Sequence, residues 1–354
     1  MAETVRRVTG IMSGTSLDGL DLAYCAFPAK NLSDFRIVHA KTISYPAKWQ
    51  QSLREAELAT GTTLAKMHFD YAKYVAQCIK DFHREAELEA PELLAFHGHT
   101  LFHRPDLGFT FQLGSGAALA AATGIAVAND FRSANVAIGG QGAPLVPIGD
   151  RDLFPHYGAC LNLGGFANIS YTAEKQLVAY DICPANMALN DWVSRIQKTF
   201  DKNGHIAASG TVRRGLLNVL NSLQFYREPF PRSLGREWYL ECFRPVAEQA
   251  ALDVRDTLAT LCEHIAMQIG TAIGTSGQAD VLVTGGGAHN SFLMKRIRFH
   301  SEASIEVPER TIVDFKEALV FAYLGLLRLN GVSNCLQSYT GASRELISGQ
   351  IHLG

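Results

Sequence analysis

An apolar strand, a glycine-rich turn and a second strand occur twice in this chain, at residues 5–24 and again at residues 157–171. The two copies lie about 150 residues apart, the size of one domain. Such a repeat predicts a duplicated unit, with a cleft between two similar halves. A length of 354 residues leaves room for both, and a hydrophobic share of 47% is ample for two packed cores. That share excludes a disordered chain.

Around each copy, apolar runs rich in β-branched and aromatic residues alternate with helical patterns. In the first half, residues 8–12, 20–27, 35–45, 93–96 and 124–128 read as strands, and 64–87 and 117–122 as helices. In the second, 177–182 and 280–284 read as strands, and 187–200 and 247–274 as helices. The order predicts an α/β protein whose mixed sheets carry helices on their faces.

Thirty-two basic residues against 34 acidic give a net charge of -2, so no global basic field draws nucleic acid or an anionic membrane. The apolar run near the N-terminus is too short for a secretory signal. The longest uncharged stretch, between Asp106 and Asp130, carries Gln112, Ser115, Thr123 and several glycines. It reads as strand, turn and Ala-rich helix, not as a membrane span. Seven scattered cysteines without a CxxC pair predict reduced thiols and a cytoplasmic setting.

The first glycine-rich segment, residues 10–21, lies between two strands and predicts a hairpin tip. Its glycines let backbone N–H groups converge on an anion, and Ser13, Thr15 and Ser16 add hydroxyls. Asp18 and Asp21 repel bare phosphate, so two acids here suit a phosphate accompanied by a divalent cation. The Asp18-Gly19 pair reads equally as a plain β-turn. A Walker loop is excluded, because the lysine and the following helix are missing.

In the second cluster, residues 281–290, an apolar strand runs into Gly285, Gly286 and Gly287 and then a basic helix. One glycine would serve a plain connection; three bring the backbone close to a ligand. The spacing does not fit GxGxxG, which disfavours a dinucleotide site. Asp181 ends a strand and precedes Pro184 and a helix, where an acid serves either as a general base or as a helix cap. His97 and His99 share a strand face with His103 nearby, but no third metal ligand follows with suitable spacing. Arg132 either grips an anionic group or pairs with Asp130.

With these segments together, the chain resembles the anhydro-N-acetylmuramic acid kinase family of the sugar kinase, Hsp70 and actin superfamily. The matching blocks are residues 10–21, 97–105, 129–150, 162–170, 181–190, 285–290 and 316–322, in order along nearly the whole chain. They include Gly-Thr-Ser-Leu-Asp-Gly-Leu-Asp at 14–21, Asn-Asp-Phe-Arg at 129–132 and Gly-Gly-Gln-Gly-Ala-Pro-Leu-Val-Pro at 139–147.

The resemblance implies a two-lobed, duplicated RNase H-like fold with ATP between the lobes. Domain I would be residues 1–132 plus 338–354, and domain II residues 133–337. Gly14, Thr15, Ser16, Leu17, Asp18, Gly19, Leu20 and Asp21 would hold the ATP phosphates, with Gly285, Gly286 and Gly287 near the nucleotide. Asp18 would meet Mg²⁺ through water. Thr100, Arg132 and Glu317 would surround the amino sugar, and Asp181 would be the catalytic base. A cytoplasmic homodimer is implied by the same likeness.

The chain departs from the family pattern at several points. Asp-Ile-Cys-Pro-Ala-Asn at 181–186 puts Cys183 and Ala185 at expected glycines. Asn135 and Asn190 stand where acids are usual, and His99 where glutamine is common. The rival readings are an ordinary sugar kinase of the same fold and a non-catalytic nucleotide or glycan sensor.

Overall fold

In the computed structural model, which describes residues 4–14, 17–229 and 232–354, the chain divides into two α/β units. One runs up to Pro155 and resumes at Phe315–Gly354; the other is His156–Asp314. The first unit contains β1 (Val5–Ser13), β2 (Gly19–Pro28), β3 (Arg36–Ser44), β4 (Leu93–Arg104), β5 (Phe109–Leu113) and β6 (Val127–Asn129). The second contains β7 (Ala159–Leu163), β8 (Phe166–Ala173), β9 (Gln176–Pro184), β10 (Asp280–Thr284) and β11 (Ser304–Glu306). The last strand, β12 (Gln350–His352), belongs to the first unit and pairs antiparallel with β6.

The two sheets share one plan. In the first, β1, β2 and β3 form an antiparallel meander, and β1 pairs in parallel with β4, which pairs in parallel with β6. In the second, β7, β8 and β9 form the meander, and β7 pairs in parallel with β10, which pairs in parallel with β11. The strand orders β3-β2-β1-β4-β6 and β9-β8-β7-β10-β11 are therefore equivalent. The duplication read from the sequence is present in the topology, and the layout is RNase H-like.

Helix Gly61–Glu85 covers the first sheet. It starts at Thr60, whose side chain accepts from the N–H of Thr63, and buries Tyr71, Val75, Ile79 and Phe82 at helical spacing. These pack with Ile11, Leu20 and Leu22 of β1 and β2; each such side chain contributes about 1.5–3 kcal/mol on burial. The opposite side of β1 is approached so closely that a Cβ at Gly10 would lie 1.8 Å from the carbonyl oxygen of Ala318, on helix Arg310–Leu329. Gly10 is thus a packing glycine.

In the second unit, helix Val254–Ser276 buries Leu258, Leu261, Ile265, Ile269 and Ile273 in one core with Ile169 and Ile182. The sequence pattern predicts a single helix through 247–274. The chain instead breaks at Ala251, where φ is 49°, and restarts at Asp253, whose side chain accepts from the N–H of Asp256 at 2.9 Å.

The units divide at 155/156 and 314/315, rather than at the expected 132/133 and 337/338. The intervening segments are tied to the first unit by specific bonds. Arg132 donates to the Gly142 carbonyl, Asn135 donates to Thr340, and Asn334 donates to the Ser348 carbonyl. Among the described residues, no helix is long and apolar enough to cross a membrane.

Candidate active site

In the first unit, β1 and β2 meet with Ser13 opposite Leu20, so Gly14 and Asp18 lie in the expected hairpin connection. Thr15 and Ser16 fall outside the described residues. Leu17 has φ 60°, uncommon for a side chain of its size, and its N–H reaches the carbonyl of Gly14 at 3.4 Å. The Asp18 side chain is exposed, whereas Gly19 is buried beside Ser44. The side chain of Leu20 belongs to the core, which leaves only its backbone for a ligand. Asp21 accepts from the hydroxyl of Thr42 at 2.5 Å.

Three expected site residues of this unit share an electrostatic neighbourhood. Burial raises the Glu317 carboxyl above its ordinary range; Lys316 and Arg132 oppose that shift, while Asp21 and Asp150 add to it. Burial lowers Arg132 to about 10, with Glu317 pulling the other way, so the guanidinium stays charged at neutral pH. Arg132 does not pair with Asp130. It donates through Nη1 to the carbonyl of Gly142 at 2.6 Å and through Nε to His97 Nε2 at 3.2 Å. Asp130 instead accepts from the N–H of Ser133 and from Gln350.

His97 therefore orients an arginine, and His99 bonds Ser13 at 2.9 Å, so the two imidazoles have separate hydrogen-bonding roles. Burial pushes the His97 imidazole well below its ordinary range, a shift that Arg132 deepens. Thr100, on β4, lies opposite Gln112 of β5, whose amide reaches the threonine hydroxyl at 3.5 Å.

In the second unit, Asp181 lies near the end of β9, and burial raises its carboxyl above the usual range. Leu234 N–H and the Ser233 hydroxyl donate to its Oδ2 at 2.8 and 3.2 Å, which limits the rise. Gly285, Gly286 and Gly287 follow β10, as expected. Gly285 has φ 84°, and a Cβ there would lie 2.5 Å from Asn162 Oδ1 and 2.9 Å from the Leu163 carbonyl. The end of β7 thus presses against the glycines, and Asn186 joins them by donating to the Leu163 carbonyl at 2.9 Å. Thr284 Oγ1, just before the glycines, is buried without a hydrogen-bond partner.

A family model described as anhydro-N-acetylmuramic acid kinase matches residues 6–354. The chain belongs to this family. It is 35% identical to the anhydro-N-acetylmuramic acid kinase of Zymomonas mobilis subsp. mobilis, covering 97% of this chain and 98% of that protein. Identity to the enzyme of the same name from Rhizorhabdus wittichii is also 35%, with the same coverage. For that of Crocosphaera subtropica it is 33%, again over 97% and 98%.

Within the anhydro-N-acetylmuramic acid kinase family, the departures of this chain have local explanations. Cys183 and Ala185 are fully buried in the second core, and neither adopts positive φ, so neither position needs glycine here. Asn135 is buried, accepts from the N–H of Gly142 at 2.7 Å and donates to Thr340 at 3.1 Å. An ionised acid could not make the second bond. Asn190 is exposed.

Sequence reading did not bring Asn162, Asn186 and the Gly164-Gly165 turn to the candidate site. The repeat was the available signal, since the β7–β8 turn is the counterpart of the β1–β2 hairpin. Ser233 and Leu234 carried no signal of that kind.

Proposed function

We propose that the chain opens the 1,6-anhydro bridge of 1,6-anhydro-N-acetylmuramic acid with water and transfers the γ-phosphoryl group of ATP to the freed O6. The product is N-acetylmuramic acid 6-phosphate. The carrying observation is the family match over residues 6–354, which includes every expected site residue.

In this reading, Asp181 takes a proton from water as the water oxygen bonds to C1 and the C1–O6 bond breaks. O6 then bonds to the γ-phosphorus, the bond to the β,γ-bridging oxygen breaks and ADP leaves. The proton passes from Asp181 to solvent. A desolvated carboxylate suits this task because it is a stronger base than a solvated one. Arg132, charged and held by His97 and Gly142, together with Thr100 and Glu317, would orient the sugar acid. Backbone N–H groups at 14–21 and at Gly285, Gly286 and Gly287 would cradle ATP.

Among the described residues, no group of three or more His, Cys, Asp or Glu side chains is placed to hold a metal unaided. An exposed Asp18 at a phosphate-facing turn fits a Mg²⁺ that arrives with ATP and keeps several waters. When bound, Mg²⁺ supplies neutralisation of charge on the phosphoryl oxygens. A cytoplasmic homodimer acting in cell-wall recycling completes the reading.

Turnover of the anhydro sugar with ATP and Mg²⁺ in ¹⁸O-water tests it, with rapid quenching. Label at C1 and none in the phosphate is expected. A phosphosugar unlabelled at C1, or activity only on already opened amino sugars, points to an ordinary sugar kinase. Nucleotide binding without turnover points to a sensor.

A further inference from the structure

Asp181 is engaged by a short stretch that follows a different part of the chain. The Ser233 hydroxyl and the Leu234 backbone N–H both donate to one carboxylate oxygen, Oδ2. The backbones are also joined: the N–H of Asp181 donates to the Arg232 carbonyl at 3.1 Å, and Arg232 Nε donates to the Asp181 carbonyl at 3.3 Å. Arg232 Nη1 donates further to the carbonyls of Phe225 and Glu228, each at 3.2 Å. The guanidinium lies 4.9 Å from the centre of the Phe225 ring and 5.4 Å from that of Tyr180. A planar fork can reach three carbonyls at once, which an ammonium on a flexible stem does poorly.

The consequence for the carboxylate is directional. Two donors on Oδ2 fix its plane and leave Oδ1 as the oxygen that can face a reactant. Holding a base in one orientation removes rotational freedom before the reaction begins. We propose that Ser233 and the Leu234 N–H are positioning groups that aim Oδ1 of Asp181 at its water, and that Arg232 is the positioning residue that holds them in place. This rests on Asp181 being the base.

Among the described residues, the charged group beside Asp181 is Arg232, which favours the carboxylate. The neighbouring Cys183 thiol is raised by burial and stays neutral. Tyr226, near both Cys183 and Arg232, is likewise raised and neutral. Glu317, also raised by burial and assigned to the sugar, titrates in the same direction, so the contribution of Asp181 and its Oδ2 donors is read from the shift of the acid limb between Ser233→Ala and the wild type.

The test is kcat/KM against pH, with thermal unfolding as a control, for Ser233→Ala, Ser233→Thr, Arg232→Ala and Asp181→Asn. Ser233 is exposed, so its variants have no core to disturb. Ser233→Ala removes a donor to the charged form, so the acid limb moves up by roughly half a pH unit, and Ser233→Thr restores it. Arg232→Ala lowers kcat about tenfold while KM for ATP stays within about twofold. An acid limb that is unmoved or lower in Ser233→Ala, with Asp181→Asn inactive, overturns the positioning role and spares the base. Activity in Asp181→Asn removes the base assignment itself.

Discussion

The hydroxyl of Ser13 lies 2.9 Å from Nδ1 of His99, with both side chains buried at the end of β1 and within β4. The chain of contacts continues from Ser13 to Tyr45 at 2.7 Å and from Tyr45 to Tyr71 at 2.6 Å. Ser13 directly precedes Gly14, so the turn expected to meet phosphate is tethered to the core by a polar relay. His99→Ala should cost about 1–3 kcal/mol by leaving buried hydroxyls short of a partner. It should also raise KM for ATP more than KM for the sugar, while His99→Gln, which keeps a polar reach toward Ser13, recovers most of both. Urea unfolding and steady-state kinetics measure the two effects; an unchanged KM for ATP in His99→Ala would disconnect the relay from the turn.

The same histidine makes stability fall with acid. Burial lowers His99 to about 4, from an ordinary value near 6.5. Between those values the unfolded chain binds a proton that the folded chain refuses, so unfolding gains as pH drops. The stabilisation is complete above about 6.5 and is lost toward about 4, at up to ~1.4 kcal/mol per pH unit for each such group. Buried His97 adds to the same trend. Unfolding free energies measured from pH 7 to 5 should decline less steeply in His99→Gln than in the wild type.

Lys316 and Asp150 form a buried ion pair at 2.8 Å, with side chains only 3% and 8% exposed. Removing one member leaves the other charge in a poorly solvated place. Lys316→Met should therefore destabilise the protein by about 3–5 kcal/mol, and pairing it with Asp150→Leu should return part of that loss. Chemical denaturation of the single and double variants decides this. Equal stability of wild type and Lys316→Met would mean that solvent reaches the pair.

Period-two apolar patterns made the two meanders legible, because β1, β2, β7 and β8 bury alternating or continuous apolar residues around glycine turns. The apolar run 93–96 marks only the start of β4, and His97 and His99, which share a strand face in the sequence pattern, continue it. In the fold His97 and His99 are buried, with partners in Arg132 and Ser13, so the strand runs on to Arg104. The break at Ala251 was invisible because alanine favours helix and nothing local announces its positive φ. Asp181 and the glycines at 285–287 stood out by residue type. The Asp181–Leu234 contact joins positions 53 apart, and Asn135 meets Cys335 across 200 residues, distances at which one sequence offers no periodicity to follow.

Asp181→Asn retains the shape of the side chain and an oxygen that can accept from Leu234, so folding should be nearly unchanged. What it loses is the ability to take a proton. Turnover should fall by about 10²–10⁴-fold, with the Kd for ATP within about twofold of the wild type. Single-turnover kinetics and calorimetric nucleotide titration separate the two quantities. Turnover near the wild-type rate would move the base to another residue.

Neighbouring glycines give a sharper test of where ATP lies. Gly285→Ala forces a side chain into positive φ and against Asn162 and Leu163, so it should cost about 1–3 kcal/mol and shift the turn. At Gly286 a Cβ would meet only Asn186 Nδ2, at 3.8 Å, and φ is not positive. Gly286→Ala should therefore leave stability within about 0.5 kcal/mol of the wild type. Its methyl group would instead occupy the space a nucleotide needs for close backbone approach, raising KM for ATP several-fold with little effect on the apo protein. Unfolding curves and ATP titrations of both variants separate a strained turn from an obstructed ligand. A KM for ATP in Gly286→Ala equal to the wild-type value would put the nucleotide away from this turn.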